Sequence, residues 1–292
     1  MKVFKRIIAS GTALSFIVLS STVHLTSCEK ELERDTTTII VHDTIIQEKI
    51  DTLIQIDTIC KLDLGLVAHY NFTGGSLLDE TDNHNDIIFN SATKTADKAG
   101  HEDNAYLFDG SSSYMRVANS PSLNPENITL MARLKVNDFY MGTCHFSEII
   151  GKGSPDVTNG FYVMRIADPY GHCYEAPDVT KEYFMGAYGD DIPEGTAAGV
   201  LADTAFIQKD SWYTVVYTYD GTTASIYVNG QLKAVEERSV AFTPNDQDLY
   251  IGRHEDPAFP YWFNGVIDEV RIYNRAITCY EAAALSNSCC SN

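Results

Sequence analysis

The segment from Ser211 to Val235 constrains the fold more than any other part of the chain. Tyr213, Val215, Tyr217 and Tyr219 alternate with Trp212, Thr214, Val216 and Thr218, so a strand would send the two sets to opposite faces. Asp220-Gly221 then turns the chain, Ala224 to Val228 forms a second strand, and Asn229-Gly230 leads into a third from Gln231 to Val235. An Asn-Gly pair between alternating apolar runs supplies the positive backbone angles of a two-residue hairpin. A meander of this kind needs a second sheet to cover its apolar face.

The same grammar recurs along the chain. Tyr106 to Val117 folds back around Asp109-Gly110, and Ile128–Val136, Gly160–Ala167, Gln247–Gly252 and Gly265–Tyr273 read as further strands. Only Ala276–Leu285 has a helical pattern. With 17 Tyr, 13 Phe and 19 Gly in 292 residues, the composition supplies β-formers and turns in quantity. Residues 62–286 are therefore expected to form one all-β domain, an antiparallel β-sandwich with a short C-terminal helix.

The N-terminus is built differently. Lys2, Lys5 and Arg6 precede an apolar stretch from Ile7 to Leu19, and Leu25-Thr26-Ser27-Cys28 follows. This resembles a bacterial lipoprotein signal. The resemblance implies cleavage after residue 27, a lipid on Cys28 and anchoring on the bacterial outer membrane, and the acids Glu29, Glu31, Glu33 and Asp35 imply display at the cell surface. Residues 28–61 repeat Asp-Thr pairs without glycine or aromatics and are expected to be a stalk. Removing residues 1–27, which hold three basic groups and no acid, takes the formal charge from −19 to −22. So negative a chain repels phosphate backbones, which argues against nucleic acid as a partner, and its membrane contact is expected through the lipid alone.

Beyond Cys28 there are six cysteines, none in a CxxC pair, which favours disulfides in an oxidising compartment over zinc. Cys144 and Cys173 flank two strands expected to be neighbours and are expected to pair. Cys279 is expected to bond Cys289 or Cys290 in the tail at 287–292, leaving Cys60 for the stalk.

Several motifs occur together in one order: Leu66 to Phe72, Asp79 to Asn85, Ala105 to Gly110, Asn119 to Leu123, Tyr219 to Gly221, Ile226 to Gly230, Leu249 to Gly252 and Phe263 to Ile277. Together they resemble the laminin-G-like, concanavalin-A-like lectin/glucanase jelly roll over roughly residues 62–285. The resemblance implies that Trp212, Tyr217, Ile226, Val228, Ile267 and Ile272 belong to the core. Glucanases of this fold carry two Glu at i and i+4 on one strand; here Glu269 stands alone, with Arg271 beside it, so the domain is expected not to be an enzyme. Hard-oxygen groups crowd Asp79–Asp86, and relatives with similar loops hold calcium, which implies Ca²⁺ at Asp79, Asn83 and Asp268. Aromatic rings that can cover the apolar faces of sugars gather in the loop 252–263, with Arg253, His254, Phe259, Tyr261 and Trp262 as expected glycan contacts, and again at Tyr170–Tyr174. The expected function is carbohydrate recognition or adhesion by a surface lipoprotein, with a glycan or glycoprotein as partner. A protein-binding adhesin or structural lipoprotein is the alternative, and a glycoside hydrolase is the remoter one.

Overall fold

The computed structural model describes residues 62–154, 159–167, 182–190, 200–201 and 207–286. The signal, Cys28, the stalk, Cys60, Cys173, Cys289, Cys290 and the Tyr170–Tyr174 loop all lie outside them. The described strands are β1 (Leu66–Tyr70), β2 (Ile87–Asn90), β3 (Thr93–Thr95), β4 (Ala105–Asp109), β5 (Met115–Val117), β6 (Ile128–Asp138), β7 (Ser147–Lys152) and β8 (Phe161–Ala167). They continue with β9 (Tyr183–Gly189), β10 (Val200–Leu201), β11 (Ser211–Tyr219), β12 (Thr223–Val228), β13 (Gln231–Glu237), β14 (Leu249–Ile251) and β15 (Asn264–Tyr273), and one helix follows, α1 (Cys279–Ser286).

These strands form the expected sandwich. The first sheet runs β13-β12-β11-β6-β15-β4-β3, with β1 also pairing β15; the second runs β10-β9-β8-β7-β14-β5-β2. All described pairings are antiparallel. Leu130, Leu134, Ile226 and Ile272 from the first sheet meet Met115, Ile150, Met164 and Ile251 from the second in one continuous core. Each such side chain, fully buried, contributes about 1.5–3 kcal/mol of transfer free energy.

Tyrosines tie the core to the loops. Tyr188 stacks on Phe242 at 4.6 Å and donates its hydroxyl to the carbonyls of Pro125 and Glu126, both at 2.8 Å. Tyr162 donates to Leu123 O, Tyr106 to Gly75 O and Tyr70 to Asn85 O. A buried phenol fills apolar space and needs one acceptor, and a loop carbonyl supplies it.

Two expectations change. Trp212 is half-buried outside the core, with Lys135 Nζ 5.8 Å above its ring, because it sits on the outer phase of β11 while Val215, Tyr217 and Tyr219 point inward. The helix begins at Cys279 rather than Ala276, because Thr278 and Glu281 close a capping box: Glu281 N donates to Thr278 Oγ1, and Thr278 N to Glu281 Oε2. Cys144 and Cys279 are both disulfide-bonded; the partners expected for them lie outside the described residues.

Candidate functional site

The second sheet turns one face away from the core. Its pairing register sets Phe89 beside Arg116, Arg116 beside Tyr250, Tyr250 beside Gly151 and Gly151 beside Val163, a row that crosses five strands from β2 to β8. Met115, Val117, Leu249 and Ile251 point the other way, into the core. Outward phase therefore places Arg116 and Tyr250 on one surface, and Tyr114, one residue before β5, joins them.

The loop 252–263 folds over this row. Phe263 N donates to Gly252 O at 2.9 Å and His254 N to Pro260 O at 2.8 Å, which closes the loop on itself. Phe263 is buried and stands edge-on to Phe108, as strand alternation requires. Its neighbour Trp262 swings outward. The Trp262 ring lies 6.2 Å from Tyr114, which stacks on Phe89 at 4.6 Å and on Tyr250 at 6.0 Å. Arg253 sits among them, its Cζ 4.8 Å from the Tyr114 ring, 5.2 Å from Trp262 and 5.4 Å from Tyr250. Phe89, Tyr114, Tyr250 and Trp262 all retain solvent exposure, and Phe89 is 39% exposed. An aromatic platform with a guanidinium set into it is a surface on which an apolar, hydroxylated ligand can lie flat.

The five expected glycan contacts are thus divided. Arg253 and Trp262 reach the platform. His254, Phe259 and Tyr261 belong to a second cluster, in which Tyr261 stands 5.1 Å from Phe146 and 5.3 Å from His254. His254 is only 3% exposed. Its Nδ1 accepts the Asp256 N–H, which leaves the ring proton on Nε2. Burial, together with the charges of Arg165 and Arg253, pushes its pKa down to about 4. Phe259 is 42% exposed at the rim of this cluster. Phe89, Tyr114 and Tyr250 were missed from sequence; the available signal was an aromatic on the outward phase of a short strand, as Tyr250 stands between Leu249 and Ile251.

Beneath the loop lies a buried ionisable group. A bulge in β7 sends both Ile149 and Ile150 into the core and leaves Glu148 and Gly151 on the outer face. The Glu148 carboxylate lies where a Gly151 side chain would be, so a Cβ there would strike Oε1. Glu148 pairs in register with Arg165, whose guanidinium rests 3.9 Å above the Phe146 ring. Burial raises Glu148 to about 8 despite the opposing charge of Arg165, and among the described residues its Oε2 has no hydrogen-bond partner.

The remaining expectations concern acids. Asp79 is 6% exposed, and its two oxygens accept His69 N, Thr81 N, Thr81 Oγ1 and Asn85 N. Asn83 Nδ2 donates to Val67 O and Thr81 Oγ1. Asp268 Oδ2 accepts Lys98 N, with Arg133 Nη1 4.0 Å away; burial raises its pKa to about 6. Calcium at Asp79 would have to displace those donors, and among the described residues no group of three or more His, Cys, Asp or Glu could hold a metal ion. Three nitrogens surround Glu269: His69 Nε2 at 3.0 Å, Arg133 Nη1 at 2.8 Å and Arg271 Nε at 2.7 Å. Burial opposes its ionisation, yet the His69 hydrogen bond and the two guanidinium charges hold it well below the usual carboxylate range.

The family model described as the concanavalin A-like lectin/glucanases superfamily matches residues 109–283. Domain 4 of AbnA, a GH43 extracellular arabinanase from Geobacillus stearothermophilus solved in complex with arabinotriose, superposes with a TM-score of 0.52 at 20% identity, covering 76% of this chain and 98% of that one. The binding domain of Paraclostridial Mosquitocidal Protein 1 gives a TM-score of 0.58 at 13% identity, over 78% of this chain and 53% of that one. The Botulinum Neurotoxin serotype G binding domain gives 0.52 at 13% identity, over 76% and 50%. The chain spans about half the length of these last two. At such identities the likeness is one of fold. No curated protein matches the sequence.

Proposed function

The chain belongs to the concanavalin A-like lectin/glucanases superfamily, and from that premise we propose that it binds carbohydrate without cleaving it, on the platform of Phe89, Tyr114, Tyr250 and Trp262. The observation that carries this reading is the row itself: three solvent-accessible rings from separate chain segments converge around one guanidinium on the outer face of a lectin-type sheet, and a fourth, Phe89, stacks on Tyr114 beside it. Sugars offer C–H faces for such rings and hydroxyls for polar neighbours. The arabinanase domain of similar fold was solved with arabinotriose, so the architecture accommodates an oligosaccharide in at least that protein.

Against catalysis, Glu269 is pinned in its charged state by two guanidinium groups and the His69 hydrogen bond, and the strand that bears it supplies no second Glu at the spacing hydrolysis needs. Display is proposed through a lipid on Cys28 at the outer membrane surface, with residues 28–61 as the spacer and no role for nucleic acid. A glycan array probed with the full chain and with Trp262→Ala tests the reading. Binding that the substitution abolishes supports it. A blank array, or release of reducing ends from a bound polysaccharide, removes it.

A further inference from the structure

The chemistry of the platform points to a narrower ligand class. We propose that the open edge of Arg253 reads a carboxylate on the bound sugar, so that the ligand is an acidic glycan, with uronate and sialate as the two sources of that group. This rests on the carbohydrate reading above and specifies it.

A guanidinium has five N–H donors and two forked edges. One edge of Arg253 is consumed by its own loop: Nε donates to His254 O at 2.6 Å and Nη2 to Glu255 O at 2.7 Å. Two successive carbonyls thereby fix the plane of the group, and the rings of Tyr114, Tyr250 and Trp262 hold its faces. What remains is the Nη1 end. Nη1 bonds no described acceptor and is not among the buried polar atoms left without one, so this edge faces solvent.

Other arginines on these sheets spend their forks on protein carboxylates. Arg116, opposite Tyr250, pairs with Asp248 at 3.3 Å; Arg133 and Arg271 pair with Glu269; Arg275 pairs with Glu281. Among the described residues Arg253 has no such ion pair. A rigid, half-buried guanidinium with one free edge matches a carboxylate in two parallel bonds, geometry that a neutral hydroxyl cannot fill equally. The formal charge of −19 rules out a diffuse attraction for anions, so selection must come from this contact and from stacking beside it.

The test is calorimetric titration of the full chain with trigalacturonate and its methyl ester, with 3′-sialyllactose and lactose, and with arabinotriose. A charge-assisted pair predicts that an acid binds about tenfold or more tighter than its neutral counterpart. The pair that shows the preference identifies the source. Arg253→Gln should erase the preference, bringing acid and neutral counterpart to equal affinity whatever its effect on binding as a whole, and the acid–ester comparison on the unaltered chain needs no variant to fold. Equal binding within both pairs, binding of arabinotriose alone, or a preference that survives Arg253→Gln overturns the acidic ligand and leaves carbohydrate recognition standing. Failure of all five sugars overturns it too, while the array decides the wider reading.

Discussion

Tyr261 and Trp262 are adjacent in sequence, yet their rings serve different structures: Trp262 lies 5.2 Å from the Arg253 guanidinium, while Tyr261 stands edge-on to Phe146 at 5.1 Å. Tyr261 adopts a left-handed backbone with φ of 44°, and its carbonyl accepts Glu148 N at 2.8 Å. A non-glycine residue in that conformation costs about 1 kcal/mol or more. The loop bears the cost because the bond to β7 and the Phe146 contact hold it there. One ring thus lies on the outer platform and the other anchors the loop.

Trp262→Ala is accordingly expected to weaken glycan binding about tenfold or more while changing stability by less than about 1 kcal/mol. Tyr261→Ala should show the reverse emphasis, a loss of roughly 2 kcal/mol in denaturant unfolding with a smaller direct effect on binding. Equal and parallel effects in both assays would show that the two rings do not have separate roles.

Glu148 gives stability a pH dependence of definite sign. Its folded pKa, about 8, lies above its ordinary value of 4.5, so the fold holds a proton that the unfolded chain releases between those limits. Its contribution is fully present below about pH 4.5 and is lost as pH rises towards 8. Glu148→Gln stays neutral throughout. The melting temperature of the variant relative to the parent is expected to climb between pH 5 and pH 8, and a constant difference would refute the buried neutral acid. His254, with its folded pKa near 4, contributes the opposite slope below pH 6.5 in both proteins and cancels from the comparison.

Gly151 is predicted to be intolerant of a side chain because of Glu148, not because of its backbone. Gly151→Ala should cost about 2 kcal/mol in the parent, since its Cβ meets the carboxylate, and markedly less beside Glu148→Ser. Additive effects in this double-mutant cycle would count against the contact.

Calcium at Asp79, Asn83 and Asp268 is a proposal that melting experiments can decide. Calcium at 100 times its dissociation constant should stabilise the native state by about 2.7 kcal/mol. Asp268→Asn should remove most of that gain. Metal-stripped protein that melts identically with calcium and with chelator disposes of the site.

Lipid attachment at Cys28 predicts incorporation of a labelled fatty acid and recovery of the protein with membranes. Cys28→Ser should abolish both. An unlabelled, freely soluble parent protein would exclude the anchor.

Most of the sandwich was legible because strand signals are local. The alternation in Ser211–Tyr219 and the Asn229-Gly230 turn specify a strand and a hairpin from a few consecutive residues, and β11, β12 and β13 occupy the expected segments. Alternation also accounts for Phe263 facing inward. Where it was read less strictly it still held: Trp212 follows its own phase to the outside, against the family-based expectation. The Thr278–Glu281 box was equally local and would have placed the helix start.

The platform had no comparable local signal. Phe89, Tyr114, Tyr250 and Trp262 each stand in a different stretch of chain, and nothing within any one stretch specifies which strand will lie beside it. Sequence by itself determined the strongest strands, their turns, the alternation of side chains along them, and the family. Tertiary structure decided that β2, β5 and β14 are neighbours, that their outward residues share one face, and that Tyr261 and Trp262 part company across it. The division follows from physics: backbone conformation and side-chain phase are short-range properties, whereas strand order depends on which apolar faces can be buried together while every ladder is hydrogen-bonded.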